Sequence, residues 1–431
     1  MAFRLILALY RMLLPVLLAV AMPGWLIKMA RRGGFGSGMA ERLGLYAPPL
    51  ESEPCGAVHV HAISVGEALL ALKLIRAWRL REPGSRFVLA VGTATGHAVA
   101  REAALEKVRV TYSPVDLGIC VARYLSRFEP SQLVLVEGEA WPNLLFACRR
   151  RGIPVTLVNA RLSPRSEKRY RAVASCVRPI FSQLGAVAAQ EPEDIARWEA
   201  LGVAAGKVAV TGSMKFDPGS ATLPARRPEF AAMLAAFGEG RPVVLSSSTH
   251  GEEDAWIGAA VREADPQALF VAVPRHAERR DEVRTSLSAA GFAVILRSSF
   301  QSPADPARAC LVIDSTGELR DWTAHASAVV IGKSILGVGG QSPAEAILAQ
   351  APLLFGPHME NFEPLASRLV AAGGAVRFQE PGELSVALRD LLHDAAAVRK
   401  QCEAASQLLG RHAGATARTL DLLGVSAVAE R

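Results

Sequence analysis

From residue 57 onward the chain alternates between short, almost uninterrupted apolar runs and segments with helical spacing. "AVHVHAIS" leads into a helix predicted from Val65, "RFVLAVGTATG" into one near Gly96, and "QLVLVEGE" into "AWPNLLFACRRRG". "PVTLVNA", "AVAAQ" and "VAVTGS" complete this first series. Strands that are apolar at nearly every position are buried on both faces, as in a parallel sheet covered by helices. Repeated strand–helix units of this kind build a doubly wound α/β domain. A break rich in Pro, Gly and charge, "KFDPGSATLPARRPEF", then reads as an interdomain linker over 215–230. The alternation restarts with "RPVVLSSST", "ALFVAVPR", "FAVILRS", "CLVIDS", "AVVIGKS" and "PLLFGP", and the stretch from Ala395 to Leu423 reads as helical. The expected organisation is therefore two Rossmann-like domains, 33–214 and 231–431, facing a crevice.

Composition agrees with this organisation. A chain of 431 residues is long for one core and suits two domains. With 50% hydrophobic and 21% charged residues it is a globular chain. The net charge of +7 favours anionic partners such as phosphates, nucleotides or an acidic membrane face. No basic tract dominates and aromatic residues make up only 6%, which argues against a stacking platform for nucleic acid. Six scattered cysteines without a Cys-x-x-Cys pair suit a reduced, cytosolic compartment. His59 and His61 share one strand face, but no nearby Cys or carboxylate completes a metal set, so they read as packed or pocket-lining histidines.

The N-terminal stretch "MAFRLILALYRMLLPVLLAVAMPGWLIKMARRGG" is apolar apart from Arg4, Arg11 and the cluster Lys28, Arg31 and Arg32. Its uncharged part, Met12 to Ile27, is short for a full span and carries Pro15 and Pro23. Without a small-residue cleavage site after it, residues 1–32 read as a retained membrane anchor. The basic cluster behind the apolar run keeps the bulk of the chain on the cytoplasmic side.

Three segments share one pattern: a strand, a hydroxyl residue, an acid three residues later, then a helix. They are Ser64–Glu67, Thr249–Glu252 and Ser342–Glu345. Each fits a capping box. Each also falls at the carboxyl end of a predicted parallel strand, where open α/β sheets bind ligands and where free helix N–H groups attract phosphate. Glu137 and Glu139 end another apolar strand; two acids there need partners, either arginines such as Arg161 or Arg165, or substrate hydroxyls. Arg275 and His276 stand at a further strand end, where an arginine fork suits phosphate or carboxylate. Neither Gly-x-Gly-x-x-Gly nor a P-loop pattern occurs, which disfavours a dinucleotide dehydrogenase or a P-loop enzyme.

Taken in order, "ERLGLY", "HAISVGE", "VEGEAWPNLL", "RGIPVTLVNARLS", "VTGSMKFD", "SSSTHGEE", "VPRHAERRDEV", "GELRDW" and "GGQSPAEAI…FGPHMENF" resemble the motifs of the 3-deoxy-D-manno-octulosonic acid (Kdo) transferases over nearly the whole chain. That resemblance implies an inverting glycosyltransferase of GT-B architecture. It would move Kdo from its co-substrate CMP-Kdo to the lipid A precursor of lipopolysaccharide at the cytoplasmic side of the inner membrane, without a metal or other cofactor. By motif, Glu67 matches the general base, and Glu137 and Glu139 fall on the acceptor side. The donor positions would be Lys215, Ser248, Thr249, Arg275, His276, Gly317, Glu318, Ser334, Ser342 and Glu345. The chain departs from the family pattern at Gln341 and Ser342, which replace His and Asn, and at the smaller Gly138 and Ala140. Two other readings stand beside this one: a GT-B transferase using another nucleotide sugar and a lipid acceptor, and a diverged, catalytically silent membrane-bound binder.

Overall fold

The structure is a computed structural model and describes residues 2–31, 37–46, 56–138, 140–162, 164–217 and 223–426. The chain divides into two compact units, one of residues 1–219 with 412–431 and one of residues 220–411. The first division falls inside the expected linker. The second differs from expectation, because the last helix belongs to the first unit.

In the first unit seven strands form a parallel sheet: β1 (Val58–Ala62), β2 (Phe87–Val91), β3 (Val108–Tyr112), β4 (Gln132–Val136), β5 (Val155–Ala160), β6 (Ala186–Ala189) and β7 (Val208–Val210). Their order is β3-β2-β1-β4-β5-β6-β7. In β4, Leu133 and Leu135 join one buried cluster while Val134 and Val136 join another. Side chains alternate across a strand, so helices cover both faces, which is why the strand sequence shows no polar alternation.

The second unit repeats the plan with β8 (Val243–Thr249), β9 (Leu269–Pro274), β10 (Ala293–Leu296), β11 (Ala309–Val312), β12 (Ala328–Ile331), β13 (Leu353–Phe355) and β14 (Val376–Arg377), in the order β10-β11-β9-β8-β12-β13-β14. Both sheets reverse direction beside their first strand, between β1 and β4 and between β8 and β12. Ligands of open α/β sheets bind outside the strand carboxyl ends at such a reversal. Gly332, just past β12, makes the second reversal tight: a Cβ there would lie 2.6 Å from the Thr249 Cα.

The expected helix from Ala395 to Leu423 is two helices, Ala395–Gly410 and Ala415–Leu422, parted at Gly414, whose φ of +74° ends regular helix. The second helix returns to the first unit, where the Asp217 carboxylate accepts from Gly414 N (2.9 Å) and Thr416 N (2.8 Å). The Ser213 N–H donates to His412 Nδ1 at 3.1 Å. Both contacts cross about 200 residues, so no local pattern announces them.

Among the described residues no helix is long and apolar enough to cross a membrane. The N-terminal helix, Ala2–Arg31, instead docks on the first unit. Tyr10 donates to Asp116 (3.0 Å) and Arg11 to Asn143 (2.6 Å), and Leu7 and Leu14 are buried. The expected membrane anchor is thus not a spanning helix; a helix tied down along one side by a tyrosine and an arginine has polar anchors in its middle.

Candidate functional site

Glu67 follows β1 and Glu137 follows β4, so the sheet order brings the two acids to the same reversal point. They line one cavity of about 250 Å³ with Gly138, Arg161, Ser166, Tyr170, Phe181 and Trp198. The Ser64–Glu67 box forms: Glu67 N donates to Ser64 Oγ at 3.2 Å, and Ser64 Oγ donates to Glu67 Oε1 at 2.9 Å. The other carboxylate oxygen accepts from Ile63 N at 2.8 Å, one residue earlier than a standard box requires. These contacts fix the carboxylate at the mouth of the helix Val65–Arg81 and leave each oxygen a lone pair.

Glu137 is held differently. Its backbone takes a φ of +64°, and Asn159, at the end of β5, takes +51°. Positive φ is disfavoured for side-chain-bearing residues and concentrates at functional sites. Asn159 explains both positions: its Oδ1 accepts from Met214 N (2.8 Å), and its Nδ2 donates to Glu137 Oε1 (3.4 Å). Burial, then the Glu67 charge, push the Glu137 pKa up, while Arg161, Lys215 and the Asn159 hydrogen bond oppose that rise. Lys215, expected among the donor residues, therefore sits in the first unit, close enough to Glu137 and Arg161 to feel their charges. Glu139 lies outside the described residues. Ser166 and Tyr170 carry no sequence signal of their own: Ser166 closes "NARLSPRS", Tyr170 lies four residues beyond it, and only folding brings both to the cavity that Glu67 lines.

His59 and His61 lie in β1 rather than in the cavity, and both are buried. Burial pushes their pKa values down to about 3 and about 4, so both are neutral at pH 7, with His59 Nδ1 against Tyr124 Oη at 2.8 Å.

In the second unit the expected donor residues gather at the carboxyl ends of four neighbouring strands, β11, β9, β8 and β12. Ser248 (φ +56°) and Thr249 end β8, and both are buried. Arg275 and His276 follow β9 and are exposed, and Arg275 N donates to Thr249 O at 3.1 Å. Glu345 feels the charges of Arg275 and Arg320, yet burial raises its pKa. Ser342 Oγ accepts from Ala344 N (3.3 Å), and Pro343, not Ser342, caps the helix Ala344–Leu348. Gly317 has a φ of +86°, and the Glu318 carboxylate is engaged by Ser315, Trp322 and Arg297. Ser334 is fully buried, with its hydroxyl donating to Ile331 O and accepting from Gly356 N.

The expected Thr249–Glu252 box does not form. The helix Glu253–Ala264 begins three residues later than a Thr249 cap requires, Thr249 donates to Asp254 (2.6 Å), and Glu252 is exposed. Burial pushes the Asp254 pKa up to about 6 against the pull of that hydrogen bond. Glu253 turns inward as a fully buried carboxylate that accepts four backbone N–H groups. Oε2 takes Lys333 (2.6 Å) and His250 (3.0 Å), and Oε1 takes Ile335 (3.1 Å) and Leu336 (3.3 Å). Sequence reasoning missed this residue, since two adjacent glutamates in a helix start look alike until the neighbouring strand is known.

The fold has solved counterparts. The chain is 14% identical to Anabaena Alr3699/HepE, solved in complex with UDP, with a TM-score of 0.55 over 86% of this chain and all (100%) of that one. The same values hold for UDP-GlcNAc 2-epimerase from Neisseria meningitidis, solved bound to UDP-GlcNAc. These likenesses define the class as a GT-B-like pair of parallel-sheet α/β domains. Residues 37–218 match the family model described as 3-deoxy-D-manno-octulosonic-acid transferase (kdotransferase). A 3-deoxy-D-manno-octulosonic acid transferase of Bordetella pertussis is 36% identical, over 93% of this chain and 94% of its own. That of Haemophilus influenzae is 30% identical over 89% and 90%. This chain belongs to the Kdo transferase family and is a glycosyltransferase.

Proposed function

We propose that the chain transfers Kdo from CMP-Kdo to a lipid A precursor, with inversion, using Glu67 as general base and no metal. The observation that carries the reading is Glu67 itself, a carboxylate fixed at a helix start and facing a cavity at the β1/β4 reversal. The acceptor hydroxyl gives its proton to Glu67 as its oxygen bonds to the anomeric carbon of Kdo. The bond from that carbon to the phosphate oxygen breaks, and CMP leaves with the electron pair. Glu137 and Glu139 serve acceptor hydroxyls or amines on the same side. The second unit holds the donor through the strand-end set around Thr249, Arg275 and Glu345, where the Arg275 guanidinium suits phosphate or the Kdo carboxylate. Incubation with CMP-Kdo and lipid A precursor should release CMP and lengthen the lipid, with EDTA without effect. Release of UDP from UDP-sugars instead, or no nucleotide release at all, would exclude this donor.

The acceptor is a lipid, and the N-terminal helix supports a place for it at the cytoplasmic face of the inner membrane. Leu9, Met12, Leu13, Val16, Leu17 and Val20 recur at helical spacing and are 51–77% exposed, opposite the docked Leu7 and Leu14. An apolar stripe of this kind lies in the plane of a membrane, buried among headgroups, rather than crossing it. The protein should co-sediment with anionic phospholipid vesicles, and Val16→Glu with Leu17→Glu should abolish most of that binding without loss of the fold. Undiminished sedimentation of the double variant would remove this helix from the membrane contact.

A further inference from the structure

Lys333, two residues past the end of β12, has a φ of +55°. That left-handed conformation suits glycine and disfavours residues with side chains, so backbone geometry gives no reason for a lysine here. Its main chain is clamped on both sides: the N–H donates to Glu253 at 2.6 Å, and the carbonyl accepts from Gly340 N at 3.0 Å. Its stem lies over Gly337, where a Cβ would come within 2.9 Å of the Lys333 Cγ. The fold thus fixes where the stem runs. The half-buried side chain makes no hydrogen bond or ion pair among the described residues.

The surroundings point to an anion. Lys333 and Ser248–His250 stand at the carboxyl ends of adjacent strands at the β8/β12 reversal, where ligands of such sheets bind. The positive charges of Lys333 and Arg279 reach His250, and the His250 and His276 rings lie 6.2 Å apart. The backbone that would ordinarily cradle a phosphate here is already occupied. Successive N–H groups after a strand form an anion nest, but those of Lys333, Ile335 and Leu336 all bind the Glu253 carboxylate. Gly339 N is likewise taken, by Glu360 at 2.7 Å. With its own carboxylates filling the nest, the loop must meet an incoming oxyanion with a side-chain cation.

We propose that Lys333 is a donor-binding residue whose ammonium holds the phosphate of the nucleotide sugar, with Glu253 positioning it from behind. The proposal rests on the reading that residues 220–411 bind a CMP-sugar. Calorimetry on the full chain with CMP and with cytidine tests it, using Lys333→Met, which keeps the stem, and Lys333→Gly, which relieves the backbone. Both variants should bind CMP about ten- to a hundredfold more weakly, the loss expected for a charge-assisted contact. Cytidine affinity should not change, and Lys333→Gly should melt no lower than wild type. CMP affinity within about twofold of wild type in both variants would overturn the proposal. An equal loss for cytidine would also overturn it, since that assigns Lys333 to the nucleoside. Wild type that binds no CMP at all overturns the donor reading itself, and this proposal with it.

Discussion

Glu67→Gln turns over about 10²–10⁴-fold more slowly than wild type, because an amide cannot take the acceptor proton. The substitution is informative because the helix cap should survive it. Gln serves at the third position of a capping box as Glu does, and its Oε1 can still accept from Ile63 N, as a carboxylate oxygen does at 2.8 Å in the wild type. The Ser64 hydroxyl can rotate to accept from the new amide, where it now donates at 2.9 Å. Stability should therefore change by less than about 1 kcal/mol. Donor affinity should stay constant, since on this reading the base touches the acceptor hydroxyl and not the nucleotide. Single-turnover transfer measured beside a melting curve separates the two roles, which Glu67→Ala would confound by removing cap and chemistry together. A variant that folds and transfers at near the wild-type rate reduces Glu67 to a helix cap.

The two-sheet plan was legible because twelve of the fourteen strands fall within strand-like runs of the sequence, most of them apolar at nearly every position, a pattern that survives without any knowledge of neighbours. The exceptions have physical causes. β3, "VRVTY", is an edge strand that is mostly half-buried, so Arg109 and Thr111 interrupt the apolar signal. β14 is two residues long and edges the other sheet. Strand order could not be read at all, being a matter of long-range pairing, and with it went the meeting of Glu67 and Glu137 at one cavity. The three hydroxyl–acid patterns had equal standing as sequence. Only Ser64–Glu67 closed as a box, because nearby residues intervene in the other two: Thr249 donates to Asp254, five residues on, and Pro343 takes the cap position. The N-terminal run shows the same limit, as hydropathy alone does not register Tyr10 and Arg11 finding Asp116 and Asn143.

Glu253→Gln destabilises the second unit by about 1–3 kcal/mol, more than its size suggests. The reason lies in the geometry of the four donors. An amide oxygen in the Oε2 position still accepts from Lys333 N and His250 N, at 2.6 and 3.0 Å in the wild type. The amide nitrogen must then occupy the Oε1 position, where Ile335 N and Leu336 N also point hydrogens at it. Flipping the amide only exchanges which pair is orphaned. Two N–H groups lose their acceptor, one on half-buried Ile335 and one on exposed Leu336, at a combined cost of about 1–3 kcal/mol because water reaches the second. The damage should concentrate in the loop 333–340, so amide exchange there should accelerate more than in the β8–β9 core, and CMP affinity should fall as Lys333 loses its clamp. Glu252→Gln supplies the control, because that side chain is exposed and the change should stay within about 0.5 kcal/mol. If chemical denaturation finds the two variants equally stable, the buried carboxylate is not what holds the loop. The strained lysine would then need another support.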